Sequence, residues 1–366
     1  MTDKQLAIGI IGLGGVAQAH LQAFECLPNL KIVSVCDVRL EVAHHVADKY
    51  QAQAFTDYSD LLIAGGFDLA MVLTPASTHH DIVKAVASAG FHVFCEKPLA
   101  VSFEEGQAMV AACKDANVKL FYGSCYRYLP AVKKANDLIQ AGAIGEIQLM
   151  TEQVIGGQGL AGYQALSPLH YPMGGPGGPG MGIVDHGIHL IDVFSWFTRS
   201  KIVQVWGKGQ ISGEPATSEF MAMEFANGAM GHLLYNAATY SMALPNEGMF
   251  SGGQGWQADC SIGQPGLWEQ EPGSISVYGT TGALRIFHYT NALFSNTGEG
   301  PRQIQLTGRP AFGHFATQLE DCADAIIKDR DPSISGDDSL RALKALLSVY
   351  PEDRRAGAQL TNLDSC

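Results

Sequence analysis

Short apolar segments alternate with amphipathic segments over the first 125 residues. Five apolar runs predict strands, and they read LAIGIIGLG, KIVSVCD, FDLAMVLTP, FHVFCEKP and VKLFYGS. Four segments with helical spacing lie between them, and they read VAQAHLQAFECL, LEVAHHVADKY, HHDIVKAVASAG and FEEGQAMVAACKDAN. Apolar strands interleaved with helices are typical of a parallel sheet that is covered on both faces. We therefore predict a doubly wound α/β domain over residues 1–125.

The pattern changes to alternating apolar and polar positions in residues 126–366. Four such segments favour a mostly antiparallel sheet, and they read EIQLMTEQV, IVQVWGKGQ, EFMAMEFANGAMGHLLYNAAT and SISVYGTTGALRIF. Two irregular stretches, 170–182 and 240–272, are long enough to serve as lids, binding walls or oligomer arms. HFATQLEDCADAIIKDRD and SLRALKALLSVYPEDRRAG predict two C-terminal helices. We assign residues 126–366 to a second α/β domain, whose last helices are free to pack on the first.

Composition narrows the class of protein. The 366 residues suffice for about two domains of ~150 residues each. Lys plus Arg number 23 and Asp plus Glu number 36, a net charge of −13, so we expect neither a nucleic-acid nor an anionic-membrane partner. The 8 cysteines show no metal-type spacing, which favours buried thiols in a reducing compartment. No uninterrupted apolar stretch is long enough for a membrane span, so a cytoplasmic protein is expected.

A glycine-rich turn follows the first predicted strand. Gly12-Leu-Gly14-Gly15-Val-Ala17 matches the pattern G-x-G-x-x-G/A between a strand and a helix. The first glycine allows a tight turn, and Gly14 allows the backbone to approach a pyrophosphate at the helix N-terminus. Asp37 ends the next strand, where it is placed to accept hydrogen bonds from ribose hydroxyls and would repel a 2′-phosphate. We therefore predict NAD rather than NADP, a preference that Arg39 would soften.

Lys97 lies in Cys95-Glu96-Lys97-Pro98, at the carboxyl end of a predicted parallel strand. Ligands of doubly wound sheets bind at that edge. An ammonium that is partly withdrawn from water is costly unless its charge is used, and a cis bond to Pro98 would aim the lysine into the cleft. The alternative is a Glu96–Lys97 ion pair at the surface.

Asp185, His189 and Asp192 have helical spacing and are expected on one stripe of a helix. A carboxylate one turn before a histidine orients the ring and raises its basicity, as a general base requires. The alternative is that Asp185 caps the helix and His189 is a buried core residue. Asp185 and His189 supply only two metal ligands, so no metal is expected.

Together these motifs resemble the Gfo/Idh/MocA oxidoreductases, the family of glucose–fructose oxidoreductase and inositol dehydrogenase. The resemblance spans essentially the whole chain, through IGIIGLGGVA, TPASTHH, CEKPLA, GSCYRYLPAVKKANDLIQAGAIGEI, DHGIHLID, VYGTTGAL and QLEDCADAI. It implies an N-terminal Rossmann domain and a C-terminal α/β domain with a large, open, mostly antiparallel sheet. In the family that sheet commonly forms an oligomer interface, which implies a homo-oligomer: a dimer, tetramer or hexamer.

The resemblance also implies roles for individual residues. Lys97 and His189 are the implied catalytic residues, and Asp185 and Tyr126 are implied substrate contacts. The implied dinucleotide-binding positions are Gly12, Gly14, Gly15, Val16, Ala17, Asp37, Val38, Arg39, Thr74, Pro75, His79, Glu96, Lys97 and Arg127. The chain departs from the family at Ala76, often asparagine, and at Tyr126, where many members have another polar residue.

These residues lead to the hypothesis of an NAD-dependent dehydrogenase that oxidises a secondary hydroxyl of a sugar, a glycoside or a cyclic polyol. Oxidation at C3 of a glucoside is favoured, with aromatic surface from Tyr240, Phe250, Trp256 and Trp268. A myo-inositol or aldose dehydrogenase is the rival hypothesis. Two other classes stay open, an NAD-retaining glycosidase and a non-catalytic nucleotide-sensing regulator, although retention of Lys97, Asp185 and His189 argues against the regulator.

Overall fold

The computed structural model describes residues 5–155, 182–209, 218–236, 274–288, 290–298, 300–308, 313–350 and 359–362. The chain forms two compact units, and among the described residues the first comprises the segment that ends at Ser124 together with Phe315–Leu343. The second unit comprises the other described residues. Apart from Gly182, the two irregular stretches lie outside the described residues, and so do the four aromatic residues expected within them.

The first unit contains a six-stranded sheet in the order β3-β2-β1-β4-β5-β6, with all neighbouring strands parallel. The strands are β1 (Leu6–Ile11), β2 (Leu30–Cys36), β3 (Gln53–Phe55), β4 (Leu69–Val72), β5 (His92–Cys95) and β6 (Leu120–Tyr122). The helices between them are α1 (Gly15–Phe24), α2 (Leu40–Tyr50), α3 (Tyr58–Ala64), α4 (His79–Ser88) and α5 (Phe103–Asp115). This strand order is that of dinucleotide-binding Rossmann folds, which confirms the predicted doubly wound sheet.

Two elements of this unit were not predicted. β3 has only three residues, and α3 has seven. Asp57 caps the N-terminus of α3, and its side chain accepts a hydrogen bond from the amide of Ser59. Both elements are too short to show a clear period.

The C-terminal helices are α8 (Gly313–Ile327) and α9 (Gly336–Leu347). At Gly106 on α5, a Cβ atom would lie 2.9 Å from Leu343 of α9, so the glycine allows the two helices to approach closely.

The second unit contains a nine-stranded sheet in the order β14-β13-β12-β11-β7-β10-β9-β8-β15. The strands are β7 (Ile147–Ile155), β8 (Ile202–Lys208), β9 (Glu219–Phe225), β10 (Met230–Asn236), β11 (Ile275–Gly279), β12 (Ala283–Phe287), β13 (Ala292–Asn296), β14 (Pro301–Gln303) and β15 (Gln359–Asn362). β7 and β10 are parallel and the other neighbours are antiparallel. The predicted large, mostly antiparallel sheet is thus confirmed.

The described residues of the predicted strand-like segment 219–239 form two antiparallel strands. β9 and β10 pair as a hairpin, and Gly228 occupies its turn with a φ of 85°, which favours glycine. Two helices accompany the sheet, α6 (Pro130–Gln140) and α7 (Ile188–Thr198). α6 begins with Pro130, which suits the first turn of a helix.

Five of the six cysteines among the described residues are buried, and all six are free thiols. The expectation of buried thiols is therefore confirmed for that part of the chain. Among the described residues, no helix has both the length and the apolar character needed to cross a membrane.

Candidate active site

The glycine-rich turn joins β1 to α1 in the first unit. Gly12 has a φ of 93°, and a Cβ atom there would lie 2.9 Å from the carbonyl oxygen of Leu73, so only glycine fits without strain. By contrast, a Cβ at Gly14 or Gly15 would meet no atom within 4 Å. The backbone at the start of α1 is therefore open to a ligand, as the approach of a pyrophosphate requires.

Asp37 follows β2 and is held by this turn. Its carboxylate accepts hydrogen bonds from the amide of Leu13 at 3.0 Å and from the amide and Nε of Arg39 at 3.0 and 2.9 Å. Burial raises the pKa of Asp37, but the hydrogen bonds from Arg39 and Leu13 outweigh it and hold that pKa below its usual value. Val38 is exposed beside it. The result is an ionised carboxylate where Rossmann folds bind the adenosine ribose.

Glu96 fixes the backbone of Lys97. One oxygen of the buried Glu96 carboxylate lies 2.9 Å from Nε2 of the buried His20, and the other accepts the amide of Lys97 at 2.9 Å. The Lys97–Pro98 bond is cis, and the Lys97 side chain is half-buried. Glu96 thus supports the lysine through its main chain, and the alternative of an exposed Glu96–Lys97 ion pair does not describe the buried Glu96.

His79 ties the end of β4 to the segment after Lys97. Its ring is fully buried, with Nε2 2.8 Å from the carbonyl oxygen of Thr74 and Nδ1 3.1 Å from those of Pro98 and Leu99. Burial lowers the pKa of His79, although the carbonyl groups of Thr74, Leu99 and Pro98 act in the opposite direction. His79 therefore holds the backbone around Pro75 and Lys97 through buried contacts.

In the second unit, the predicted Asp185–His189–Asp192 stripe differs from a regular helix. Residues Ile183–Gly187 form a π-helical turn, and α7 starts only at Ile188. The wider turn changes the angular relation of Asp185 to His189, and such turns occur often at functional sites. A Cβ at Gly182 would lie 2.8 Å from Tyr235, so the glycine lets this turn approach β10.

Arg127 and Asp192 form a buried ion pair. Nε of Arg127 donates to Oδ2 of Asp192 at 2.8 Å, and Nη2 donates to Oδ1 at 2.5 Å. Both side chains are buried, and the guanidinium also lies 5.5 Å from the ring centroid of Trp196. The two-pronged geometry fixes the short helical turn Cys125–Tyr128 against α7. Arg127, expected at the dinucleotide, thus has a structural partner that the sequence did not reveal.

Tyr126 lies on the ring of His189. The two rings are parallel within 1°, with centroids 4.1 Å apart, and both side chains are buried. The Tyr126 hydroxyl lies 2.9 Å from Nδ1 of His186. Tyr126 therefore connects the implied general base to a second histidine on the π-helical turn.

Four polar residues around this turn escaped the sequence analysis: Glu152, His186, Tyr235 and His288. Oε1 of Glu152 lies 2.6 Å from Nε2 of His186 and 3.6 Å from Nε2 of His288, while Oε2 accepts the hydroxyl of Tyr235 at 2.6 Å. Burial raises the pKa of Glu152, but His186, His288 and Tyr235 outweigh it and lower that pKa. Burial also lowers the pKa of His288 to about 3.

The sequence held one signal for this cluster. Glu152 lies two residues from Met150 and two from Val154, and all three side chains are buried on one face of β7. The alternation of side chains along a strand places Glu152 on the same face as these two apolar residues. A carboxylate on the core face of a strand requires hydrogen-bond or charge partners.

Comparison with known proteins identifies both units. A family model described as "Oxidoreductase family, NAD-binding Rossmann fold" matches residues 6–124. A second model, the GFO/IDH/MocA C-terminal domain, matches residues 132–285.

Individual relatives agree with these matches. The chain is 29% identical over 235 residues to the uncharacterized oxidoreductase YrbE of Bacillus subtilis, covering 62% of this chain and 66% of that protein. It is 30% identical over 194 residues to the D-glucoside 3-dehydrogenase of Escherichia coli, covering 52% of this chain and 54% of that protein. The matched segments thus span about half to two thirds of these curated relatives. The crystal structure of aldose-aldose oxidoreductase from Caulobacter crescentus complexed with glycerol has the same fold, with a TM-score of 0.78 at 22% identity over 98% of this chain and 100% of that chain.

Proposed function

Because the chain belongs to the Gfo/Idh/MocA oxidoreductase family, we propose that it is a cytoplasmic, NAD-dependent dehydrogenase. Its substrate is a secondary alcohol of a sugar, a glycoside or a cyclic polyol. The observation that carries this proposal is that Lys97, Asp185 and His189 all stand at the positions that the family resemblance implies for catalysis and substrate binding. A regulator without catalytic activity would not require these three residues together.

The first unit supports a dinucleotide as cofactor. The open backbone at Gly14 and Gly15 suits a pyrophosphate, and the ionised Asp37 suits two ribose hydroxyls. A 2′-phosphate would meet the negative charge of Asp37, which favours NAD over NADP. Arg39 already pairs with Asp37 at 2.9 Å, so its charge is directed to that carboxylate.

The proposed chemistry divides among three residues. NAD+, when bound, supplies the hydride acceptor. His189 accepts the proton of the substrate hydroxyl as general base, and Asp185 contacts the substrate and assists it. Lys97, as a cation, stabilises the negative charge that develops on the oxygen as that proton leaves. Each of the two catalytic groups has a built support in its own unit: Glu96 holds the backbone of Lys97, and Tyr126 covers one face of the His189 ring.

A glucoside oxidised at C3 is the proposed substrate class. The similarity to a protein named D-glucoside 3-dehydrogenase supports it, although that alignment covers 52% of this chain. A cyclic polyol such as myo-inositol carries the same kind of secondary alcohol and is the nearest competitor.

The test is a substrate panel of inositols, aldoses, O-glucosides and C-glucosides. Each is incubated with the enzyme and NAD+, nicotinamide reduction is followed by absorbance, and products are identified by mass spectrometry. Formation of a 3-keto glucoside with stoichiometric NADH supports the proposal. Release of an aglycone without NADH would indicate a glycosidase that retains its nucleotide, and nucleotide binding without turnover on any polyol would indicate a regulator. Either result overturns the dehydrogenase.

We further propose that the large sheet forms a homo-oligomer interface. Leu149 on β7 and Tyr278 on β11 face each other in register, and both are exposed large side chains, at 37% and 42%. Met150, next to Leu149, is fully buried on the opposite face. An apolar pair on the outer face of a sheet is suited to contact with a second copy.

A further inference from the structure

A buried cluster in the second unit brings together three side chains that ligate metals in other proteins. Glu152 comes from the core face of β7, His186 from the π-helical turn, and His288 from the residue after β12. One ligand atom from each lies within 4.8 Å of the other two. Glu152 is 1% exposed and His288 is fully buried. The cluster is distinct from Lys97 and His189, which carry the proposed hydride-transfer reaction.

We propose that Glu152, His186 and His288 bind one divalent transition-metal ion, for which Zn²⁺ is the best match. Two imidazole nitrogens and one carboxylate oxygen form a donor set found in zinc sites that keep a fourth position open. Imidazole donors favour the later first-row metals over Mg²⁺ and Ca²⁺, which prefer oxygen ligands throughout. The inference goes beyond the proposed dehydrogenase activity and does not depend on it.

The groups around the cluster match those that support metal ligands. The Tyr126 hydroxyl lies 2.9 Å from Nδ1 of His186, so Nδ1 can donate its proton to that hydroxyl while Nε2 exchanges its contact with Oε1 of Glu152 for the ion. The hydroxyl of Tyr235 donates at 2.6 Å to Oε2 of Glu152, the oxygen that faces away from His186. Hydrogen bonds to the outer atoms of ligands orient them and are a regular feature of metal sites.

The distances define what binding must change. In a tetrahedral zinc site with bonds of about 2.0–2.1 Å, two ligand atoms stand about 3.3 Å apart. Oε1 of Glu152 and Nε2 of His288 are 3.6 Å apart, already near that value. Oε1 of Glu152 and Nε2 of His186 are 2.6 Å apart, a hydrogen-bond contact. An ion therefore has to open this contact by about 0.7 Å.

The charge balance also favours a cation. Glu152 places a carboxylate inside the unit, and its nearest described partners are two histidines and a tyrosine rather than a lysine or an arginine. A buried charge needs a partner of opposite sign or a metal ion. The sequence expectation of no metal considered the carboxylates and histidines of 185–192, which include His186, but Glu152 and His288 come from other segments of the chain.

The experiment measures metal content and metal binding on the full chain. The protein is purified without chelators or an affinity tag that binds metal, and its Mn, Fe, Co, Ni, Cu and Zn are quantified by mass spectrometry. Metal-free protein is then titrated with Zn²⁺ by calorimetry, and with Co²⁺ while visible absorption reports the coordination geometry. The variants are Glu152→Gln and His288→Gln, with His232→Gln, an exposed histidine on β10, as the matched control.

Support for the site is one ion per chain, a Kd for Zn²⁺ in the micromolar range or below, and loss of at least about tenfold in affinity in both cluster variants but not in the control. Equal Zn²⁺ binding by wild type and Glu152→Gln, or no binding by wild type, overturns the site and leaves a hydrogen-bonded network alone. Because wild type is measured directly, a cluster variant that does not fold leaves the test intact. Turnover is not a readout, so failure here leaves the dehydrogenase proposal standing.

Discussion

The rings of Tyr126 and His189 are stacked, with their centroids 4.1 Å apart and an angle of 1° between the two ring planes. The hydroxyl of Tyr126 is at the same time 2.9 Å from Nδ1 of His186. The ring of Tyr126 therefore fixes the plane of His189, and its hydroxyl is directed to a different histidine. These two functions of one side chain are separable by substitution.

Replacing Tyr126 tests that separation. Tyr126→Phe keeps the stacked ring, whereas Tyr126→Ala removes it. An aromatic stack contributes about 0.5–1.5 kcal/mol, so we expect kcat to fall up to about tenfold further in the alanine variant than in the phenylalanine variant. His189→Ala removes the proposed general base itself and should lower kcat by at least about 100-fold. Steady-state kinetics on the best substrate of the panel measures all three, and equal losses in the two Tyr126 variants would assign the effect to the hydroxyl instead of the ring.

Lys97→Ala should lower turnover by about 10²–10³-fold, because the variant loses the cation that we propose stabilises the developing alkoxide. Circular dichroism checks that the fold is retained. Lys84→Ala, on the exposed side of α4, is the matched loss of one lysine and should leave kcat unchanged. A Lys97→Ala enzyme with near-wild-type turnover would remove this residue from the mechanism.

Gly12 and Gly14 should respond differently to alanine. At Gly12 the new Cβ meets backbone at 2.9 Å and φ is 93°, so Gly12→Ala should lower the free energy of unfolding by about 1–3 kcal/mol or more. At Gly14 φ is −72° and a Cβ meets nothing within 4 Å, so the protein should keep its stability.

Gly14→Ala should nevertheless weaken NAD+ binding, because the methyl group occupies the space through which a pyrophosphate approaches the backbone. Chemical denaturation and calorimetric titration with NAD+ measure the two effects on the same samples. Undiminished NAD+ affinity in Gly14→Ala would place the dinucleotide elsewhere.

His79 should make folding pH-dependent. Its pKa is lowered in the folded protein, first of all by burial, so between that pKa and the ordinary value of about 6.5 the unfolded chain binds a proton that the folded chain does not. The contribution of His79 to the free energy of unfolding is therefore fully present above pH ~6.5. It falls as the pH is lowered, by up to about 1.4 kcal/mol per pH unit.

Urea denaturation at several pH values between about 5 and 7.5 measures this slope. His79→Asn should show a shallower dependence than wild type, whereas His44→Asn, which removes an exposed histidine on α2, should match wild type. Identical slopes in wild type and His79→Asn would mean that the buried ring takes up a proton in the folded state.

Leu149→Glu should separate the proposed homo-oligomer. The substitution places a charge on the outer face of β7, opposite Tyr278, where contact with a second copy would bury it. Light scattering at several protein concentrations should show a smaller species than wild type. Lys208→Glu, an exposed position on β8, changes the charge of the same sheet and is the control. An unchanged mass for Leu149→Glu would locate the interface away from this pair.

Local pattern predicted most of the first unit. The apolar runs that became β1, β2, β4 and β5 are bounded by glycine, aspartate or proline, and each is long enough for its period to identify a strand. The turn at Gly12 was predictable because its requirement is local: a backbone with positive φ between a strand and a helix. The nucleotide-binding character of this unit follows from such near-neighbour requirements.

The π-helical turn was not predictable in the same way. Residues 182–192 have the spacing of an ordinary helix, and nothing in that segment alone selects a wider turn. Its neighbour Tyr235, on β10, lies against Gly182 and Gly187. We therefore attribute the wider turn to contacts between residues that are far apart in the chain.

The sequence by itself determined the two kinds of sheet, the glycine turn and Asp37, because each depends on spacing within a few residues. It also determined the family, because motifs that include Lys97 and His189 recur in order along the chain. Only the tertiary structure decided which polar residues meet. Arg127 finds Asp192 across 65 residues, and Glu152 finds Tyr235 across 83. The period of a strand shows that a carboxylate faces the core, but its partners are set by how strands and helices pack, and that packing is not encoded in any one segment.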